Sequence, residues 1–304
     1  MLDLANGYWQ VEMEPNSREV MAFITLWGLF EWNRMPFGLC NAPATFQRLM
    51  NQVLRKYLGK FVLVYLDDII IYSKTFEEHK EHVRLVFEAL RAASLMMKPK
   101  KCKFAQKELR FLGHIISAEG IRTDPDKIAK MVTISPLSNL KELRSRLGLF
   151  SYYRQFIKGF SDITRPMYEL TREENGKIVP FEWTAARQKA FEIIKAKLAT
   201  APVVAHPNFD KSFILYTDAS GGGVGAVLHQ KGEDGRERII ACASRTYNEH
   251  EKKYPITEQE CLAVVWGVEK FKQFLSVKPF KIITDHMALE TIKTVDLPSG
   301  RRAR

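Results

Sequence analysis

The stretch "FVLVYLDDIIIYS", residues 61–73, places two adjacent aspartates between two runs of apolar, mostly β-branched residues. Runs of this length and composition predict two buried strands that meet at Asp67 and Asp68. Aspartate is common in tight turns because its carboxylate bonds to nearby backbone N–H groups, so an acidic turn is one interpretation. Two carboxylates a few ångströms apart repel by about 4 kcal/mol at an effective dielectric constant of about 20, so a bound cation is the other interpretation.

A third acidic residue, Asp3 in "MLDLANGYWQV", is a candidate for the same site. The alternative for Asp3 is an exposed residue near the N-terminus. Two hard cations that share carboxylate ligands can activate a 3′-hydroxyl group and stabilise a leaving pyrophosphate. The residues alone leave the turn and the metal site both open.

The bulk composition describes a folded protein with a basic surface. The chain has 304 residues, of which 46% are hydrophobic and 27% charged, as in soluble globular proteins with about two or three domains. Its 46 Lys and Arg against 35 Asp and Glu give a net charge of +11. This excess favours a polyanionic partner, either nucleic acid or an acidic membrane surface; an uncommitted basic surface is the alternative.

The four cysteines, Cys40, Cys102, Cys242 and Cys261, lie far apart and form no CxxC pattern. Neither a zinc site nor a disulfide-linked partner is predicted, which suits a reducing compartment. No apolar run approaches the roughly 18 residues of a membrane span, and the N-terminus has no signal-peptide pattern. The sequence therefore predicts a cytoplasmic or nuclear protein without a membrane partner.

Hydrophobic periodicity divides the rest of the chain into helices and strands. Apolar residues recur at helical spacing in five stretches: 42–59, 76–94, 139–157, 184–200 and 257–275. Strand patterns occur in three further stretches: a strand pair or tight hairpin at 108–117, two strands around a glycine-rich turn at 211–230, and one strand at 280–286.

A second set of acids consists of Asp218, Glu260 and Asp285. The two aspartates end predicted strands and Glu260 lies in a predicted helix, so the three converge if the strands are neighbours and the helix packs over them. Glu260 also completes the pattern Thr257-x-x-Glu260 of a capping box, and Asp285 before His286 fits an ordinary polar pair at a strand end. These alternatives stay open from the residues alone.

Several motifs resemble one known family. "DLANGYWQV", "MPFGLCNAPATFQRLM", "YLDD", "MMKPKKCKF" and "FLGHIIS" are similar, in order and spacing, to the reverse transcriptase palm of gypsy-class LTR retrotransposon polyproteins. "YTDAS", "TEQECLAVVWGVEKF" and "IITDH" are similar to the ribonuclease H domain that follows it. The resemblance implies a multidomain α+β and α/β fold: a right-hand polymerase palm with a thumb, followed by a ribonuclease H-like domain.

The resemblance also implies domain boundaries. It predicts a palm with partial fingers at 1–118, a thumb at 119–175, a connection or tether at 176–210 and a ribonuclease H-like domain at 211–304. The family has most of its fingers upstream of the residue equivalent to Asp3, and its fourth ribonuclease H acid beyond "SGRRAR". The sequence therefore predicts a fragment, truncated at both ends relative to the family.

The resemblance assigns roles to single residues. The catalytic, metal-binding acids would be Asp3, Asp67, Asp68, Asp218, Glu260 and Asp285. Each site would hold two Mg²⁺ ions, with Mn²⁺ as a possible substitute. The predicted substrate-binding residues are Tyr8, as a steric gate against ribonucleotides, with Pro36, Phe37, Gly38 and Lys98. The predicted nucleic-acid-binding residues, in a basic run and a basic helix, are Lys100, Lys101, Lys103, Arg144 and Arg154.

Two hypotheses about function follow. The first is an RNA-directed DNA polymerase with ribonuclease H activity, whose partners are an RNA template, a DNA primer, the RNA–DNA hybrid and deoxynucleoside triphosphates. The second is a truncated, catalytically incompetent remnant that folds and binds nucleic acid without specificity.

Overall fold

The computed structural model describes residues 1–133, 137–171, 173–174, 177–178 and 180–289, with the backbone alone at 173–174 and 177–178. The chain divides into two compact units, Met1–Lys107 and the residues from Glu108 onward. The tail "SGRRAR", where the sequence predicts the truncation of the second domain, lies outside the described residues.

The first unit combines a small antiparallel sheet with two long helices. Its elements are β1 (Leu2–Asp3), α1 (Pro15–Arg18), β2 (Phe23–Thr25), β3 (Gly28–Phe30), α2 (Ala42–Val53), β4 (Val62–Tyr65), β5 (Asp68–Ile71) and α3 (Phe76–Ala92). The central sheet has the order β1-β5-β4, and β2 pairs with β3 in a separate hairpin. The two strands predicted around Asp67 and Asp68 are thus confirmed.

The predicted helices of the first unit form because each has an apolar face. Phe46 and Met50 of α2 and Val86 and Leu90 of α3 are almost fully buried in one core with the sheet residue Ile69. Burial of each such side chain contributes about 1.5–3 kcal/mol to folding. A capping box at the start of α3 satisfies backbone N–H groups that would otherwise lack partners.

The second unit begins with an antiparallel sheet and a group of helices. Its elements as far as residue 199, within the predicted tether, are β6 (Glu108–Phe111), β7 (His114–Ser117), β8 (Gly120–Thr123), α4 (Pro125–Val132), α5 (Leu140–Tyr152), α6 (Phe160–Glu169), β9 (Glu173–Glu174), β10 (Lys177–Ile178) and α7 (Ala185–Ala199). Phe150, Phe156 and Phe191 lie in the core that these helices share. The hairpin at 108–117 and the helix capped by Thr184 are confirmed.

The proline-containing segment after α7 is hydrogen-bonded on both sides. Val204 pairs with Ile121 of β8, and the Ala205 N–H group donates to the Ile239 carbonyl oxygen at 2.8 Å. Gly120 lies at φ +142°, and a Cβ atom there would come 2.1 Å from the Val204 carbonyl oxygen. The close approach of these two segments therefore requires glycine at this position.

A mixed sheet with a long helix completes the described part of the second unit. The elements are β11 (Phe213–Ser220), β12 (Gly223–Lys231), β13 (Glu237–Thr246), α8 (Ile256–Lys270), α9 (Lys272–Leu275) and β14 (Lys281–Ile283). The strand order is β13-β12-β11-β14, and only the β11–β14 pair is parallel among these strands. α8 packs on β11 and β12.

No helix within the described residues has both the length and the apolar character that crossing a bilayer requires.

Candidate active sites

The first candidate site lies at the turn between β4 and β5. Tyr65 pairs with Asp68, which leaves Leu66 and Asp67 as a two-residue turn. On the other side of β5, Asp3 of β1 stands directly opposite Asp68, and the Leu4 N–H group donates to the Asp67 carbonyl oxygen at 3.3 Å. The strand register therefore brings acids from two distant stretches of sequence to one end of the sheet.

The charges at this turn are poorly compensated. Burial raises the pKa of Asp68, and the carboxylates of Asp3 and Asp67 raise it further. The Lys101 ammonium group lies 3.5 Å from the Asp3 carboxylate, which is 21% exposed. A raised carboxyl pKa means that added positive charge would stabilise the ionised form, so the residues present fit a divalent cation.

Aromatic side chains surround the same turn. Tyr8 lies in a 3₁₀-helix, Gly7–Gln10, with its ring 5.5 Å from that of Phe37 and 5.6 Å from that of Phe46. Burial raises the pKa of Tyr8, and the negative charge of Asp67 raises it further. Phe37 is 64% exposed and available to a bound molecule.

The other predicted substrate-binding residues, Pro36, Gly38 and Lys98, have specific backbone conformations or contacts. Gly38 has a φ of +93°, which favours glycine, and Pro36 is buried. The Lys98 N–H group donates to the Asp3 carbonyl oxygen at 2.8 Å, so Lys98 lies beside the first site.

The second candidate site lies where β11 and β14 run in parallel. Tyr216 pairs with Ile283, so Asp218 and Asp285, each two residues further on, lie side by side. The sequence predicted that these aspartates end their strands; instead β11 continues to Ser220 and β14 stops at Ile283. β11 is longer because its hairpin with β12 continues through the Ser220–Gly223 pair.

Glu260 of α8 completes the second site. One ligand atom each from Asp218, Glu260 and Asp285 lies within 4.8 Å of the others. Glu260 is 7% exposed, and its Oε2 atom has no hydrogen-bond partner among the described residues. Burial, then Asp285 and Asp218, raise the pKa of Glu260. Three convergent carboxylates with an unpaired buried oxygen fit a site for a hard divalent cation.

The capping interpretation of Glu260 is wrong. Helix α8 has Pro255 at its N-cap, so Thr257 lies inside the helix and makes no cap. The Thr257 hydroxyl instead lies 3.1 Å from Nε2 of His286. Pro255, two residues before Thr257, takes the N-cap position, so Glu260 serves no cap and converges with the two aspartates.

The two sites differ in how tightly their acids converge. Within the described residues, Asp218, Glu260 and Asp285 are the only three-residue group whose ligand atoms lie this close together. Asp3, Asp67 and Asp68 do not form such a group, although two of them are strand neighbours. Their metal-binding roles stay predictions.

Comparison with known proteins identifies the family. Residues 1–116 match the family "Reverse transcriptase (RNA-dependent DNA polymerase)", and residues 183–282 match "RNase H-like domain found in reverse transcriptase". The chain is 42% identical over 307 residues to "Retrovirus-related Pol polyprotein from transposon 297" of Drosophila melanogaster, covering 100% of this chain. It is 37% identical to the corresponding polyprotein from transposon gypsy, over 95% of this chain. The chain belongs to the gypsy-class retrotransposon Pol polyproteins.

Solved structures of related enzymes have the same fold. The gypsy-class chain matches the foamy viral protease-reverse transcriptase dRH in complex with double-stranded DNA, with a TM-score of 0.85 and 26% identity over 99% of this chain and 52% of that one. It matches the same viral enzyme in complex with an RNA/DNA hybrid with a TM-score of 0.79 and 27% identity, over 99% and 40% of the two chains. The predicted fold class is confirmed.

The gypsy-class chain is shorter than the proteins it resembles. It spans 28% of the length of the 297 and gypsy polyproteins. It contains a reverse transcriptase domain and a ribonuclease H-like domain, as the motifs predicted.

Of the predicted nucleic-acid-binding residues, the three lysines are exposed, whereas the two arginines donate hydrogen bonds to backbone carbonyl oxygens. Lys100 and Lys103 are exposed, as is Lys101 with its contact to Asp3. Arg144 donates to the Thr171 carbonyl oxygen at 3.4 Å, and Arg154 donates to the Ser244 carbonyl oxygen. Both arginines therefore hold the second unit together, and their roles in nucleic-acid binding stay predictions.

Asp162 of α6 is a residue at the second site that the sequence did not indicate. It lines a cavity of about 330 Å³ together with Asp218 and Asp285. Its Oδ2 atom accepts a hydrogen bond from Ser220 at 2.9 Å, and its Oδ1 atom is buried without a partner among the described residues. Asp162 lies in no motif, and only the packing of α6 against the sheet brings it to the site.

Proposed function

We propose that this chain is an RNA-directed DNA polymerase that also cleaves the RNA strand of RNA–DNA hybrids. The observation that carries the proposal is the presence of two separate carboxylate clusters. One lies within the reverse transcriptase segment, and the other lies in the ribonuclease H-like segment and just beyond its end, at Asp285. Each cluster joins acids that are distant in sequence, and each contains an acid whose pKa is raised. Buried acids that repel one another at neutral pH are typical of metal-dependent sites.

Asp3, Asp67 and Asp68 would hold divalent cations in the polymerase site, and Asp218, Glu260 and Asp285 in the nuclease site. Two Mg²⁺ ions, when bound, would supply positive charge that activates the attacking oxygen and stabilises the leaving oxygen.

Tyr8 would select the sugar of the incoming nucleotide. Its ring packs against those of Phe37 and Phe46, and the charge of Asp67 contributes to its raised pKa. A ring held there on two sides would clash with a ribose 2′-hydroxyl group, so deoxynucleotides would be favoured. Phe37 and Gly38 would support the incoming base and the template.

In the nuclease site, the burial of Glu260 would exclude bulk water from one side of the reacting phosphate. Asp162, which bonds to Ser220, would fix the turn that follows Asp218.

The proposed partners are an RNA template with a DNA primer, the hybrid product and deoxynucleoside triphosphates. The viral relatives of similar fold were solved with double-stranded DNA and with an RNA/DNA hybrid. The net charge of +11 and the exposed Lys100 and Lys103 support a backbone-tracking surface.

Primer extension tests the polymerase half of the proposal. The purified chain is given an RNA template, a labelled DNA primer, deoxynucleotides and Mg²⁺, with Asp67→Asn as the matched variant. We expect extension by the unaltered chain and a loss of at least about a hundredfold in the variant. Hybrid binding without extension by the unaltered chain would instead favour the second hypothesis, a remnant that binds nucleic acid without turnover.

A further inference from the structure

The outer edge of β4 is completed by groups from outside the sheet. β4 pairs with β5 on one side only, so backbone groups at Val62, Val64 and Leu66 point away from the ladder. An edge strand leaves such groups unpaired unless other parts of the chain cover them. At Val62, the chain after α2 does this: Tyr57 accepts from the Val62 N–H group at 3.3 Å, and the Gly59 N–H group donates to Val62 at 3.1 Å.

A single side chain covers the next two groups along this edge. Gln47 of α2 accepts a hydrogen bond from the Leu66 N–H group at 2.7 Å through its Oε1 atom. Its Nε2 atom donates to the Val64 carbonyl oxygen at 3.2 Å. The side-chain amide thus pairs with β4 much as the peptide group of a neighbouring strand would.

The residue held in this way has an unusual backbone conformation. Leu66 has a φ of +52°, in the left-handed region that residues with a Cβ atom rarely adopt. Such conformations persist only where the surrounding structure holds them, and they are concentrated at functional sites. Leu66 directly precedes Asp67, so its conformation sets the direction in which the chain presents that carboxylate.

The turn is held from both edges of the sheet. On the β1 side, the Leu4 N–H group donates to the Asp67 carbonyl oxygen at 3.3 Å. On the β4 side, Gln47 binds the Leu66 N–H group.

The chemistry of these contacts requires glutamine. One partner, Leu66 N–H, needs an acceptor, and the other, the Val64 carbonyl, needs a donor. The amide of glutamine offers both, whereas an ionised glutamate of the same length offers acceptors alone. Asn51, one turn further along α2, accepts a second hydrogen bond from Nε2 of Gln47 at 2.9 Å. This contact fixes which side of the amide faces each partner.

We propose that Gln47 is a positioning residue for the carboxylate turn of the polymerase site. It holds Leu66 in its left-handed conformation and thereby sets the placement of Asp67 relative to Asp3 and Asp68. The inference rests on the proposed polymerase function for its kinetic consequence, whereas its structural consequence can be measured without activity.

Hydrogen–deuterium exchange tests the structural consequence. Gln47→Met keeps the length of the side chain and removes both polar contacts, and Gln52→Met changes an exposed glutamine of the same helix. Exchange is read at the Leu66 amide by mass spectrometry with residue-resolving fragmentation. We expect it to be about tenfold faster in Gln47→Met and unchanged in Gln52→Met. Equal exchange at Leu66 in both variants would overturn the inference.

Gln47→Glu covers the case in which Gln47→Met fails to fold, as judged by thermal unfolding. The carboxylate keeps an acceptor for Leu66 but meets the Val64 carbonyl oxygen without a donor. We expect faster Leu66 exchange here too, by a smaller factor than in Gln47→Met. Exchange at the rate of the unaltered chain would contradict the proposal.

Steady-state primer extension tests the kinetic consequence. Misplacement of a reacting group by about 1 Å can reduce a rate by about a hundredfold. We therefore expect kcat to fall by about tenfold or more in Gln47→Met, while KM for the primer–template stays within about twofold. The hydrogen bonds of Gln47 go to Leu66, Val64 and Asn51, and none of these three is a predicted nucleic-acid-binding residue. An unchanged kcat, or a loss confined to KM, would refute the positioning role. If the unaltered chain extends no primer, the proposed function fails, and the exchange result alone decides on Gln47.

Discussion

The ionisation of Glu260 links the stability of the fold to the proposed metal binding at the second candidate site. It is a buried acid with a raised pKa, so it favours folding only while protonated. That contribution is fully present below the ordinary glutamate pKa and is lost as the pH rises through the raised value. At neutral pH, the ionised group opposes folding unless a cation compensates its charge and those of Asp218 and Asp285.

The first prediction concerns Glu260→Gln. Without divalent metal at neutral pH, this variant should melt at a higher temperature than the unaltered chain, because one of three repelling charges is removed. Mg²⁺ should then stabilise the unaltered chain by about 1.4 kcal/mol at a concentration of about ten times its Kd, and the variant by much less. Differential scanning calorimetry with and without Mg²⁺ measures both effects.

Glu269→Gln provides the matched control, because Glu269 is exposed on the same helix. An equal response to Mg²⁺ in the two variants would mean that the three acids do not form a metal site.

The convergence of Asp218, Glu260 and Asp285 could be predicted from the sequence, whereas the supporting partners of both candidate sites could not. The six acids stand in motifs that fix their spacing, and for the second site their convergence follows from a parallel pairing of strand ends. Gln47 and Asp162 act through packing between elements that are far apart in the chain. The local sequence of a helix does not indicate which strand edge one of its side chains contacts in the fold.

At the scale of elements, the space around a glycine determines whether the fold tolerates an added side chain there. A Cβ atom on Gly223 of β12 would come 2.1 Å from the Arg245 carbonyl oxygen of β13. Gly148, on the exposed side of α5, has nothing within 4 Å of an added Cβ atom. The two glycines therefore give opposite expectations for the same change.

The second prediction compares these two glycines. Gly223→Ala should lower the free energy of unfolding by about 3 kcal/mol, because the backbone of β13 cannot move without loss of ladder hydrogen bonds. Gly148→Ala should raise it by about 0.5–1 kcal/mol, because alanine loses less backbone entropy in a helix. Urea unfolding of both variants measures the difference; a destabilised Gly148→Ala or a neutral Gly223→Ala would contradict the packing described.

His114 of β7 makes a contribution to folding stability that depends on pH. Its ring is stacked on Tyr152 at 5.1 Å, its Nδ1 atom is buried without a partner among the described residues, and burial lowers its pKa. A histidine with a lowered pKa contributes stability above its ordinary pKa, and this contribution is lost as the pH falls through the lowered value.

The third prediction is that protonation of His114 lowers the unfolding free energy as the pH falls. Between about pH 7 and about pH 5, the unaltered chain should lose more unfolding free energy than His114→Phe, which keeps an aromatic ring for stacking. The exposed His250, replaced by Phe, serves as the control. Equal pH dependence in the unaltered chain and His114→Phe would show that His114 does not titrate with unfolding.

The elements themselves were more predictable than their ends. The sequence predicted a helix at 42–59, yet α2 ends at Val53. The chain turns early because Leu58 and Gly59 pair with Val62 at the edge of β4. Turn hydrogen bonds of this kind end a helix before its apolar pattern does, and they leave no periodic signal.

At the scale of the whole molecule, the net charge of +11 predicts that the affinity for nucleic acid depends strongly on salt. Each phosphate that a lysine neutralises releases counterions, so the affinity falls with salt by a slope of about 0.9 per contact. Lys100 and Lys103 are exposed in the first unit, beyond Lys98 and the first carboxylate site.

The fourth prediction concerns that slope. The double variant Lys100→Ala, Lys103→Ala should reduce the salt slope of duplex binding by about 2. The control, Lys80→Ala, Lys252→Ala, removes the same charge from lysines paired with Glu77 and Glu249 on exposed surfaces. Fluorescence anisotropy over a range of salt concentrations measures both. Equal slopes in the two double variants would mean that net charge alone, and no local contact, determines binding.

The proposed function requires two independent carboxylate sites in one chain, one for extending DNA and one for cutting RNA. A single reaction tests it most directly: an RNA template and a DNA primer carry different fluorophores, so extension and cleavage are read from the same mixture with Mg²⁺. The chains compared are the unaltered one, Asp67→Asn, Asp218→Asn and a control at the exposed Asp210, Asp210→Asn. We expect Asp67→Asn to lose extension and keep cleavage, Asp218→Asn to keep extension and lose cleavage, and the control to keep both. Loss of both activities in either single variant, or retention of both, would contradict it.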